Sequence, residues 1–200
     1  NYDVKKAFDA VLSSSNYDLY DGIGYYKKYG YVPEDLNSNS ASKTLEYAYD
    51  DWTIYKFAKS LDENKIADEY YHRAQSYKNL FDERTKFIRA KNSDGKFNEP
   101  FDALSTANQG YIEGNAWNYS LYIPHDVKGF INLLGSKEKL INWIDSLFAM
   151  HISDESFAHS EDIDRAGMIG NYVHGNEPSH QIPYMYCYAG APWKKKKKIH

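Results

Sequence analysis

The stretch QGYIEGNAWNYS, residues 109–120, carries one carboxylate, Glu113, set among aromatics and directly followed by a glycine. No basic residue stands three or four positions away to pair with it. Gly114 frees the backbone for close approach, Trp117 lies four residues on, and the next helix is expected to begin near Asn115. A carboxyl held among aromatic rings resists ionisation, and a general acid working near neutral pH requires that property. A glutamate in a surface loop has the same local sequence, so both readings stand at this point.

A second segment, HGNEPSHQ at 174–181, gathers two imidazoles, a carboxylate and two amides in eight residues. Glu177 and Gln181 are spaced i,i+4 at the expected start of a helix, and Asn176 adds a further amide oxygen. Hard oxygen donors of this kind suit Ca2+ rather than zinc. His174 and His180 do not have the HExxH spacing of a zinc hydrolase. Helix capping and hydrogen bonding are the alternative use of these side chains. In TLEYAYDDW, Glu46 and Asp50 form a third candidate, two acids at i,i+4 beside Asp51 and Trp52. If that face is buried, one acid must be hydrogen-bonded, metal-bound or protonated; if it is solvated, nothing follows.

These residues must be positioned by a largely helical chain. Val4, Ala7, Phe8 and Val11 predict a first helix that ends at the polar cluster SSSN. The stretch DGIGYYKKYGYVPEDLNSNS is expected to be loop. A helix of about twenty residues follows over SASKTLEYAYDDWTIYKFAKSL, with Leu45, Ala48, Trp52, Tyr55 and Lys59 on one stripe. After the short LDEN joint, Ile66, Tyr70, Ala74, Tyr77 and Phe81 predict its antiparallel partner. Asp94-Gly95 between short β-prone runs predicts a small hairpin outside the helices. Helices are expected again over about 115–122, 127–134 and, capped by Ser136, up to Met150; residues 151–175 form a long polar loop. A last helix should start near Glu177-Pro178 and kink at Pro183. Successive helix hairpins suit either an α-solenoid, with a tetratricopeptide-like pair at 42–81, or a toroid of paired helices.

The length suits one domain with one sizeable core, and 42% apolar residues suffice to build it. Twenty-eight acidic against twenty-four basic residues leave a net charge of -4, so no basic field attracts nucleic acid phosphates. The run Lys194 to Lys198 is taken as a solvated helix face or tail. The single cysteine, Cys187, is expected to be a small buried hydrophobe. No stretch approaches the roughly 20 apolar residues of a membrane span, and a chain starting at Asn1 without methionine or signal segment reads as processed or excised. Twenty tyrosines, with tryptophans and acids in loops, suit the packing of sugar rings on aromatic faces, although a tyrosine-rich core accounts for them equally.

Five motifs in order carry a family resemblance: YGYVP at 29–33, SKTLEYAYDDW at 42–52, EGNAWNYS at 113–120, PHDVKGFINLLG at 124–135 and HGNEPSHQIPYMYCYAGAPWK at 174–194. Together they resemble the catalytic domain of the glycoside hydrolase family 92 α-mannosidases. The resemblance implies an all-α fold, part of an (α/α)6 toroid of helix hairpins with a small β-hairpin decoration, and packing against an N-terminal β-sandwich absent from residues 1–200. It implies calcium dependence and exo-cleavage of terminal α-linked mannose from glycans with inversion. Glu113 would be the general acid, with Asn176, Glu177 and Gln181 as metal ligands. His174, Glu177, His180 and Trp117 would line the sugar site, Trp117 and the acids of TLEYAYDD chiefly supporting the centre of the toroid. The general base belongs to a family motif downstream of residue 200, and nothing matches that motif to Asp162 or Asp164. A periplasmic or secreted location is implied in the same way. A non-catalytic carbohydrate-binding fragment and a helical-repeat scaffold are the alternative readings.

Overall fold

Helix α1, Val4–Ser15, begins where Asp3 accepts a hydrogen bond from the Lys6 backbone N–H at 3.0 Å, satisfying one of the donors left over at a helix start. The structure is a computed structural model describing residues 2–152 and 168–199, the side chains of 197–199 excepted. The described chain is all-α apart from isolated β-bridges, as expected. It divides into two compact units, Asn1–Leu80 with Ala90–Asn98, and Phe81–Arg89 with Glu99–His200.

The first unit is built on a helix hairpin. Helix α3, Ser40–Ser60, turns through Leu61, Asp62 and Glu63 into α4, Asn64–Arg73. The buried residues of α3 include Leu45, Ala48, Asp51, Ile54 and Ala58. The expected stripe is thus right at its start and drifts off the buried face by its end, where Tyr55 is half-buried and Lys59 exposed. The cause is Asp51, a carboxylate on the packed face that apolar counting alone rejects. Phe8 of α1 closes the far end against Ala58 and Ala67, meeting Phe57 edge-on at 5.1 Å. Helix α4 stops at Arg73 and the chain continues as a 3-10 turn, Ser76–Leu80, which keeps Tyr77 and Leu80 buried.

The glycine- and tyrosine-rich stretch read as loop contains a helix, α2, Ile23–Tyr29, with Gly22 and Gly30 at its two ends. Those glycines punctuate the helix rather than dissolve it. Its Tyr26 is buried and donates to Asp51 Oδ2 at 2.8 Å, and Arg73 completes the set at 2.9 Å from Asp51 Oδ1. The acid that α3 buries is therefore Asp51, whereas Asp50 lies on the exposed side. The expected hairpin is present: Asn92 N–H donates to Lys96 O and Asn98 N–H to Ala90 O, both at 2.9 Å, around Gly95. It is tied into the unit by Glu34 N–H donating to Lys91 O and by Ser93 bonding Asp35 through both N–H and hydroxyl.

The second unit holds α5, Ala116–Tyr119; α6, Val127–Leu134, capped by Asp126; α7, Lys137–Ala149, capped by Ser136 as expected; α8, Ile182–Tyr188; and α9, Pro192–Ile199. The single kinked helix expected from 177 is two pieces, a 3-10 turn Glu177–Ser179 and then α8. Pro183 sits in the first turn of α8, where its missing N–H costs no intrahelical bond. Helices α6, α7 and α8 pack together through Phe130, Leu134, Ile144, Leu147, Met185 and Tyr186. Cys187 lies on the outer side of α8 and is exposed, correcting the buried expectation. The lysine run forms α9, and its first lysine, Lys194, bonds Asp145 of α7.

Candidate active site

The motif around Glu113 is fixed by a one-turn helix with a strong start. Asn115 is the N-cap of α5: its Oδ1 accepts from Trp117 N–H at 3.1 Å while Asn118 Oδ1 accepts from Asn115 N–H at 3.3 Å. Both side chains thus satisfy backbone donors reciprocally, a capping box built from two asparagines. Gly114 enters this turn at φ +95, and a Cβ there would lie 3.1 Å from Asn118 Oδ1, the atom that closes the box. Only glycine leaves both the backbone conformation and the cap undisturbed. The turn is pinned on both sides by Ile88, whose carbonyl accepts from the buried Tyr111 hydroxyl and whose N–H donates to Ser120 Oγ at 3.0 Å. Burial raises the Tyr111 phenol well above its ordinary range, so it stays a donor at all physiological pH.

Trp117 is half-buried and edge-packed against Phe87 at 5.2 Å and Trp143 at 5.3 Å. Trp143 in turn meets Phe130 at 5.8 Å, so the indole anchors α5 to α6 and α7. Glu113 is half-buried, and its carboxylate, like that of Glu177, has no hydrogen-bond partner among the described residues.

The segment leading to Glu177 is joined to this turn by amides. Asn171 is wholly buried; its Nδ2 donates to Asn115 Oδ1 and Asn115 Nδ2 donates back to Asn171 Oδ1, each at 3.2 Å. Asn118 Nδ2 also donates to the Asn171 carbonyl at 2.5 Å. Further along, Gln181 Nε2 donates to Leu121 O at 3.1 Å and Pro178 O at 2.6 Å. Two carbonyls on one side fix which end of that amide is nitrogen, leaving Oε1 uncommitted. The turn Glu177–Ser179 packs directly on α5. Residues about sixty positions apart in sequence are thereby packed together.

The two histidines stand together. Their rings are 5.3 Å apart, His180 Nε2 donates to His174 O at 2.9 Å, and His174 Nδ1 bonds the Tyr172 hydroxyl at 2.7 Å. Both are exposed on the surface of the segment that carries Glu177. Asn176 caps the 3-10 turn by position, yet its side-chain oxygen is buried with no partner among the described residues. Such an orphaned acceptor inside a protein calls for a donor or a cation. Asn115 and Asn118 had a readable signal, amides at N-cap and N3 before a short apolar helix. Asn171 had none, because its role depends on which distant turn it meets. Asp162 and Asp164 lie outside the described residues.

Among proteins of known family, the profile of the glycosyl hydrolase family 92 catalytic domain matches residues 1–200. The chain belongs to that family. Its structure is similar to a family 92 α-mannosidase of Bacteroides thetaiotaomicron at 38% identity and TM-score 0.90, over 99% of this chain and 26% of that one. It is also similar to a family 92 inverting mannosidase of B. thetaiotaomicron VPI-5482 at 34% identity and TM-score 0.82, over 96% of this chain and 28% of that one. A protein of Arthroderma benhamiae described as an uncharacterized secreted glycosidase is 26% identical over all of this chain and 28% of its own length. The family 92 segment described here thus spans about a quarter of its relatives' lengths. No helix among the described residues is long and apolar enough to cross a membrane.

Proposed function

We propose that this family 92 chain is part of the catalytic domain of an exo-α-mannosidase that removes terminal α-linked mannose from glycans with inversion, using Glu113 as general acid and calcium near Glu177. The single observation that carries this reading is the reciprocal Asn115–Asn171 amide pair, which holds the Glu113 turn against the segment leading to Glu177. A sugar bound over that junction meets an acid from one motif and oxygen donors from the other.

Glu113 is the residue suited to protonate the departing glycosidic oxygen. It is half-buried, no cation pairs with it among the described residues, and the Gly114 turn and capping box hold its backbone. The Asn176 oxygen, the uncommitted Gln181 Oε1 and the Glu177 carboxylate are all hard donors and fit Ca2+. The described residues contain no group of three His, Cys, Asp or Glu able to hold a metal, so amide, backbone and water oxygens would complete its shell. When bound, the ion would supply positive charge for vicinal sugar hydroxyls. His174 and His180 border the sugar, and Trp117 stiffens the floor beneath it. Inversion needs a second carboxylate, roughly 6.5–9.5 Å from the first, to activate water; the proposal assigns that task to no residue of this chain. A periplasmic or secreted location is part of the proposal and rests on the relative described as secreted.

The test uses the whole chain with aryl and alkyl α-mannosides. Glu113→Gln should lower turnover of alkyl mannosides, whose leaving groups need a proton, by about 10²–10⁴-fold. Mannosides of acidic phenols should suffer less, and calcium affinity should be retained. Mannose should protect tryptophan fluorescence only with calcium present. Equal losses for both leaving groups, or loss of calcium affinity in Glu113→Gln, would sink the assignment.

A further inference from the structure

The first unit holds a half-open cavity of about 560 Å3, all of whose lining residues fall between Ala10 and Arg73, remote in sequence from Glu113 and Glu177. That size falls within the roughly 300–1,000 Å3 of small-ligand sites. Its Asp51 and Arg73 charges are paired with each other. Asp51 takes hydrogen bonds from Tyr26 and Arg73, and Arg73, ion-paired to Asp51, also donates to Ser15 O at 3.1 Å and Asn16 Oδ1 at 3.3 Å. No uncommitted cation therefore lines the cavity to attract a phosphate or carboxylate.

What remains available to a ligand is of a different kind. The Asp50 carboxylate has no hydrogen-bond or ion-pair partner among the described residues. Although Asp50 is exposed overall, the loss of solvent on its cavity side raises its carboxyl above the ordinary value. Tyr17 and Tyr20 line the same cavity, more than half exposed, with phenols bonded to nothing among the described residues. An acceptor in need of donors, beside accessible aromatic faces and with no free cation, matches a neutral polyhydroxylated ring. The Tyr26 ring, buried and already facing the Arg73 guanidinium at 5.8 Å, offers no face to a cation, and a quaternary ammonium is the competing ligand to be tested.

We infer that this cavity is a second carbohydrate-binding site, taking one neutral hexopyranose, with Asp50 accepting from ring hydroxyls and Tyr17 and Tyr20 packing on its C–H face. The ligand class follows from the cavity's own chemistry; only the choice of mannose as the first probe rests on the mannosidase reading. The whole chain, held in EDTA so that no calcium site contributes, is titrated with methyl α-D-mannopyranoside and methyl α-D-glucopyranoside by saturation-transfer NMR. Tyr20→Ala and Asp50→Asn, both at exposed positions, should each weaken binding about tenfold. Glu113→Gln and Glu177→Gln should leave it unchanged. Unaltered binding in the Tyr20→Ala, Asp50→Asn double variant overturns the inference, as does an absence of sugar signal or displacement of the sugar by tetramethylammonium. Binding that vanishes in EDTA and in Glu177→Gln, yet survives Tyr20→Ala, also overturns it while leaving the mannosidase reading intact.

Discussion

Replacing Arg89 by Met should destabilise the second unit by about 3 kcal/mol. Arg89 is 1% exposed; its Nη1 donates to Asp82 Oδ2 at 2.6 Å, its Nη2 to Glu99 Oε1 at 2.9 Å, and its guanidinium lies 4.1 Å from the centre of the Phe101 ring. Removing one partner of a buried ion pair costs about 3–5 kcal/mol because the other charge is left stranded. The structure argues for the low end. Asp82 keeps the Arg84 N–H and the Thr85 hydroxyl, both at 2.9 Å, and Glu99 is half open to water with Arg84 still in reach at 3.1 Å. Methionine refills most of the volume without a charge. Urea unfolding followed by fluorescence reports on this unit through Trp117 and Trp143. Adding Asp82→Asn to Arg89→Met should recover at least about 1 kcal/mol, because the stranded charge is then gone. The acid dependence should change with it. Burial alone would raise the Asp82 carboxyl, but the hydrogen bonds from Arg89, Arg84 and Thr85 outweigh it and hold it below its usual range. The Arg89 hydrogen bond lowers Glu99 likewise. Carboxyls depressed by folding stabilise fully above the unfolded value near 4 and lose that contribution as pH falls through the folded one. Arg89→Met should therefore flatten the stability curve below about pH 4. A loss under about 1 kcal/mol, or an unchanged acid limb, would refute the reasoning.

Gly114→Ala should cost about 1–2 kcal/mol, since alanine is strained at φ +95 and its methyl presses on the oxygen that closes the cap; if the mannosidase proposal holds, alkyl-mannoside turnover should drop with little change in overall helix content by circular dichroism. Burial raises the Asp51 carboxyl to about 6 against the opposing pull of Arg73 and Tyr26, so the folded chain holds that proton more tightly than the unfolded chain does. The first unit should accordingly lose on the order of 3 kcal/mol as pH rises from about 4 to 6, a slope absent in Asp51→Asn and measurable by urea unfolding followed through Trp52. Stability that climbs with pH over that window, relative to Asp51→Asn, would contradict the assignment. If the calcium proposal holds, Glu177→Gln should weaken calcium binding measured by isothermal titration at least about tenfold, with chelation and substitution having no additive effect.

Most helices were legible because their signals are local. Phe8, Leu45, Ala48, Tyr70 and Ala74 recur at the helical period, Ser136 announces α7, and Asp94-Gly95 announces the hairpin; each depends on neighbours within a turn or two. Where the reading failed, a distant contact had overridden a local habit. The glycines at 22 and 30 suggested loop because composition does not say whether a glycine interrupts a helix or stands at its end. Tyr26 decides that by reaching Asp51 and the Arg73 carbonyl. The same contact turned Asp51 inward and left Asp50 outside, a choice that two adjacent acids on one helix do not reveal in sequence.

The candidate site divides along the same line. Residue types, spacing and resemblance singled out Glu113, Trp117, His174, Asn176, Glu177, His180 and Gln181, because carboxylates, imidazoles and amides crowded beside glycine and aromatics are unusual over so few residues. That these two stretches pack against each other was not contained in either one. Asn171, an ordinary residue in an unpatterned loop, meets Asn115 and Asn118 through bonds spanning more than fifty residues, and Gln181 reaches back to Leu121. Sequence alone determined which chemistry was on offer, since side-chain identity sets acidity and donor hardness. Tertiary structure alone decided which groups lie together, since proximity across the chain follows from packing and the satisfaction of buried amides.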